Sequence, residues 1–286
     1  MNKALLLSLA LFCCGLQMQA QTMTEDEIMA KLNEASALDN AKKTAEALDA
    51  FLLIGKNMEQ QRTEVEHQIY VYCQAKACMC YETLNRYEEA YLLAKKLIAG
   101  NLTEKEKKDV GHLYAVNGYL YASSFMHGNN RQSVKARTIL EEIMPYADGK
   151  VKEYALPKIS ESWFFEGAEY HLSQQYDKAL TCYQNALKGY LKLGKTKDEI
   201  SVLQHIAEIK GTLYDVAGSE NAYKQALVLA KQIGKTDVLM EILKELWNLG
   251  NRIGNVQQAQ TYAASIDSLV DVAADLQTKY TYYNQK

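Results

Sequence analysis

The pattern that carries the most chemistry runs from Gly189 to Thr196. With Gly189, Gly194, Lys195 and Thr196 in place, it matches G-x-x-x-x-G-K-T, the phosphate-binding loop. Such a loop needs a strand before it and a helix after it, so that backbone N–H groups converge on phosphate. Here Gly189 falls inside a stretch of helical periodicity, and Gly194 stands where that helix would end, the usual place of a glycine cap. A partial copy, Gly234-Lys235-Thr236, follows forty residues later with Leu229 in place of the first glycine. The sequence therefore predicts a recurring turn rather than a nucleotide site.

Other reactive groups are no better organised. His67, His112, His127, His171 and His205 are scattered, without H-E-x-x-H or a paired metal spacing, and no G-x-S-x-G occurs. Beyond the first twenty residues the cysteines are Cys73, Cys78, Cys80 and Cys182. Cys73 and Cys80 would lie about 10 Å apart along one helix, too far for a disulfide. Cys78 and Cys80 would point to opposed faces, so small buried thiols are expected. No catalytic, cofactor or metal set is expected. The formal charge of −3 comes without a basic stripe, which argues against nucleic-acid binding.

The elements that position these residues read as helices throughout. The chain has only two prolines, Pro145 and Pro157. It is rich in Ala, Leu, Lys, Glu and Gln, all strong helix formers. Breakers recur at Asn85-Arg86, Gly100-Asn101, Gly128-Asn129-Asn130, Asp148-Gly149, Gly194-Lys195, Gly218, Gly234-Lys235 and Gly254-Asn255. Apolar positions between them follow i, i+3, i+4, i+7.

Within Ser160 to Leu193, Trp163, Gly167 and Tyr170 lie on a first helix. Tyr176, Ala179, Tyr183 and Ala186 follow on a second. Forty residues on, Ala207, Ser219, Tyr223 and Ala226 take the places of Gly167, Ala179, Tyr183 and Ala186. Forty further, Ala259, Ala263 and Ile266 recur, with Trp247 in place of the small residue. Small residues suit the crossing of two helices, and large ones fill the spaces beside it. In the N-terminal half, Cys78 and Tyr81 precede a matching turn at Asn85 to Ala90. Ser133 to Ile143 reads as another second helix, Glu104 to Met126 aligns poorly as its first, and Ala47 and Phe51 mark one more unit.

This order of large, small and aromatic residues resembles the tetratricopeptide repeat (TPR) family. The resemblance implies an all-α, right-handed superhelix (solenoid) of about five to six TPR-like hairpins over residues 21–286. The period of forty or more exceeds the usual 34, and Leu191 stands near the place of the closing proline, so elongated repeats are expected. It further implies a non-catalytic scaffold that holds a protein or peptide partner along its first helices. At the corresponding positions stand Phe164, Ala168 and His171, then Gln204 and Glu208, then Lys244, Asn248, Asn251 and Arg252. The Lys, Arg, Asn and Gln among the later ones would suit a polar or acidic peptide.

The two ends add a setting. Residues 1–20 have the layout of a secretory signal peptide, with Lys3, an uncharged run from Ala4 to Gly15, and Ala20 before the cleavage point. That predicts a periplasmic or secreted protein without a later membrane span. The alternatives are an uncleaved anchor and lipid attachment at Cys13 or Cys14, against which the bulky Leu11-Phe12 argues. The stretch around Leu276, Lys279 and Tyr280 resembles the exit of the extracytoplasmic TPR regions of some bacterial sensor histidine kinases and regulators. It implies a second reading, a stand-alone or truncated sensor module binding a ligand or peptide.

Overall fold

The computed structural model describes residues 23–61, 63–126 and 131–272. The expectations for the leader, for Cys13 and Cys14, and for the stretch from Leu276 onward lie outside the described residues, as does His127. Twelve helices and no strand occur among the described residues. They are α1 (Glu25–Asn40), α2 (Thr44–Asn57), α3 (Glu64–Thr83), α4 (Tyr87–Ile98), α5 (Glu104–Ser124), α6 (Ser133–Ile143), α7 (Gly149–Leu172), α8 (Tyr176–Leu193), α9 (Thr196–Thr212), α10 (Val216–Ile233), α11 (Thr236–Arg252) and α12 (Val256–Val272). Within α1 to α5, and again within α8 to α12, each helix packs mainly on its neighbours in sequence, as in TPR-like hairpins.

The described residues form two compact units. The first holds residues up to 126 together with 138–153; the second holds 131–137 and 154–272.

In the first unit, Thr24 and Thr103 open α1 and α5 with reciprocal capping boxes to Glu27 and Glu106, and Thr63 caps α3. Its core runs through Leu48, Phe51, Ile54, Ile69, Cys73, Ala77 and Leu97. Cys73, Cys78 and Cys80 are free and buried, as is Cys182 of the second unit. Burial pushes the Cys73 and Cys78 thiols up to about 12. The poor alignment of α5 has a local cause. A side chain at Gly111 would meet the Tyr146 ring at 3.0 Å, and one at Gly118 would strike Ile143. Tyrosines fill the rest: Tyr91 stacks on Tyr114 at 5.5 Å, and both donate hydroxyl hydrogen bonds to Glu142.

In the second unit the forty-residue period is visible in the backbone. The N–H groups of Gln175, Asp215 and Asn255 donate to the carbonyls of Tyr170, Lys210 and Gly250 at 2.8, 2.8 and 2.9 Å. Each bond closes a left-handed turn centred on Gln174, Tyr214 or Gly254. Gly194 and Gly234 end α8 and α10 in the same left-handed conformation, at φ +61° and +64°. First helices α9 and α11 have 17 residues and second helices α8 and α10 have 18. Ala179, Tyr183, Ala186, Ala207, Ala226 and Ile242 are fully enclosed. Full burial of a side chain the size of Ile242 or Leu246 contributes about 1.5–3 kcal/mol.

Glycines make the close approaches, at the expected position and beyond it. Gly167 opposes the Tyr183 ring and Cys182, and a side chain there would come within 2.9 Å of the ring. Further close approaches lie in the last turns of α9 and α11, Gly211 against Ser219 and Gly250 against Ala259. Trp247 keeps the forty-residue register of Gly167 and Ala207. It lies half-buried against Leu243 and Ile266.

Candidate functional site

The phosphate-loop pattern dissolves in the structure. Gly189 lies inside α8, where an added side chain would collide with Ser160 of α7. Gly194 is the left-handed cap of α8, and Lys195 and Thr196 begin α9. The glycine that would approach phosphate instead lets two helices touch.

The polar side chains at the repeat register of the second unit come from α7, α9 and α11. Phe164, Ala168 and His171 lie on α7, spaced four and three residues apart so that they share one face. All three are half-buried. Gln204 is half-buried and Glu208 exposed on α9; Lys244 and Asn248 are half-buried, and Asn251 and Arg252 exposed, on α11.

The structure draws part of this set together around a residue absent from the sequence expectation, His205. Its ring stacks on the fully buried Tyr183 of α8, with centroids 5.3 Å apart and planes within 7°. Phe164 flanks it at 5.4 Å and His171 at 6.1 Å. One turn along α9, the Glu208 carboxylate lies 3.5 Å from His205 Nδ1. His171, His205 and Glu208 each bring one ligand-capable atom within 4.8 Å of the others. Spacing along the chain does not announce this cluster, because its members come from two repeats. The His-x-x-Glu spacing on α9 was the available signal, since residues three apart share a helix face.

Charge on this face is mixed rather than basic. Burial pushes the Tyr223 phenol up, reinforced by the carboxylates of Glu245, Glu208 and Glu241, while Arg252 pulls the other way. Burial likewise raises Tyr183, with Glu208 adding to it. Beside the site, Arg137 pairs with Glu166 at 2.7 Å, their side chains only 9% and 12% exposed. The Arg137 guanidinium also lies 3.4 Å from the centroid of Trp163. This pair holds α6 against α7 through a buried charge contact that no sequence motif announced.

No family model matches the chain, and no curated protein matches it in sequence. Among solved structures, it is similar to aspartyl phosphate phosphatase F from Bacillus subtilis: TM-score 0.43, 10% identity, covering 91% of this chain and 78% of that one. BtubC (BKLC) from P. vanneervenii gives a TM-score of 0.39 at 10% identity, covering 80% and 91%. The C-terminal part of a TPR repeat-containing protein from Cytophaga hutchinsonii gives 0.36 at 14%, covering 85% and 96%.

Proposed function

We propose that the chain is a non-catalytic interaction scaffold of the bacterial envelope, taking a protein or peptide partner along the first helices of its second unit. One observation carries this reading. Phe164, His171, Gln204, Glu208, Lys244 and Asn248 recur on successive first helices, with aromatic and charged groups set side by side and partly open to solvent. An array of hairpins presents such a face as a by-product of stacking. The mixture of Glu208, Glu241 and Glu245 with Lys244 and Arg252 suits a polar peptide carrying both signs of charge.

Site-specific photocrosslinking tests the reading. Probes placed at Gln204 and Asn248 should capture a discrete partner that probes at exposed second-helix positions, such as Lys188 and Val228, do not. Equal capture from both faces would sink it. Envelope residence rests on the leader-like residues 1–20; cell fractionation and N-terminal sequencing should find a chain that begins near Gln21. The alternative sensor reading rests on the stretch around Leu276, Lys279 and Tyr280. It requires the captured partner to be a membrane-bound kinase or regulator.

A further inference from the structure

We propose that His171, His205 and Glu208 form a binding site for a divalent transition-metal ion, with zinc the best match. Two imidazoles and a carboxylate are borderline-soft and hard donors of the kind zinc accepts. Three protein ligands leave a fourth position for water or for a donor from a partner. One donor atom from each residue already lies within 4.8 Å of the other two. Coordination at bond lengths near 2 Å would need these atoms at roughly 3.3 Å, a contraction within reach of side-chain rotation.

The surroundings divide the work. His205 is the fixed ligand, held by Tyr183 stacked at 5.3 Å and Phe164 at 5.4 Å. Glu208, with a side chain 56% exposed, is free to swing toward an ion. His171 comes from the last turn of α7 and closes the third corner from the neighbouring repeat. An ordinary surface ion pair between His205 and Glu208 accounts for neither His171 nor the aromatic clamp.

A second observation concerns the aromatic residue stacked on this cluster. The Tyr183 hydroxyl is buried without a hydrogen-bond partner, although its ring covers His205 and the Glu208 charge reaches it. Buried hydroxyls ordinarily find a partner. A carboxylate oxygen drawn inward by an ion, or a water on that ion, would give this one an acceptor.

The full chain is titrated with Zn2+ against a chromophoric chelator, and with Co2+ followed by absorption. One ion per chain is expected, with cobalt bands of nitrogen and oxygen ligation and no thiolate charge-transfer band. His171→Ala and His205→Ala should each weaken binding by about tenfold or more, and the double variant should abolish it. Unchanged affinity in the double variant, absence of binding, or a thiolate band from the cysteines would overturn the site. Should the variants fail to fold, the unaltered chain decides. Zn2+ should protect His171 and His205, but not exposed His112, from diethyl pyrocarbonate, and equal modification with and without Zn2+ would refute the proposal. These measurements need no partner, so they stand apart from the scaffold reading.

Discussion

Tyr214 occupies the left-handed region at φ +63°, where its forty-residue equivalents are Gln174 at +57° and Gly254 at +71°. An L-residue pays about 1–2 kcal/mol there, and glycine does not. Because Tyr214 is 86% exposed, little packing is lost on replacing it. Tyr214→Gly should therefore stabilise the chain by up to about 1 kcal/mol, part of the relief being offset by the greater freedom of glycine when unfolded. A lowered thermal midpoint would contradict this. Glu142 supplies a pH test. Burial pushes its carboxyl up, but hydrogen bonds from Lys95, Tyr114 and Tyr91 outweigh that and hold it below the ordinary 4.5. A carboxyl lowered on folding contributes stability that is present above the unfolded value and lost as pH falls through the folded one. Glu142→Gln should thus destabilise the chain at pH 7. The gap from the unaltered chain should narrow below about pH 4.5, as read from urea melts across the acid range.

Between elements, the consequential contacts are those where two helices leave no room. Gly189→Val would drive a branched side chain into Ser160, and overpacking of this kind costs about 1–3 kcal/mol. Lys195→Ala, in the same motif but exposed, should stay within about 0.5 kcal/mol. Equal effects in a denaturant comparison would mean that Gly189 is not a packing residue. Arg137→Met should cost about 3–5 kcal/mol, because Glu166 keeps a buried charge without its partner; adding Glu166→Leu should recover much of the loss. Failure of the second change to rescue would place the stability in the Trp163 contact instead. The sequence makes the helices and the forty-residue step legible, because small residues at Ala179, Ser219 and Ala259 repeat along one chain. It does not show the close approach of Gly250 to Ala259, three positions beyond Trp247, because a glycine inside a helical stretch leaves no mark in the apolar pattern. Nor does it show His171 beside His205. Those rings belong to different repeats, 34 positions apart in a forty-residue pattern, and only the offset between packed helices brings them together.

For the molecule as a whole, the regular step has a constructive use. Residues 196–235 begin after one lysine and end on another, Lys195 and Lys235, each followed in the chain by threonine. A second copy of 196–235 inserted after Lys235 therefore meets native junctions on both sides. In arrays stabilised by neighbour contacts, such an insertion should give a soluble chain with more helix and no lower melting point. Aggregation or lost circular dichroism would show that the two surfaces are not interchangeable. The shielded cysteines offer something different again. Three sit in one unit and Cys182 in the other, all screened from solvent. A thiol reagent can reach them only when their surroundings come apart. Alkylation rates, resolved peptide by peptide, would therefore act as two native clocks that time the breathing of each half without any engineered label.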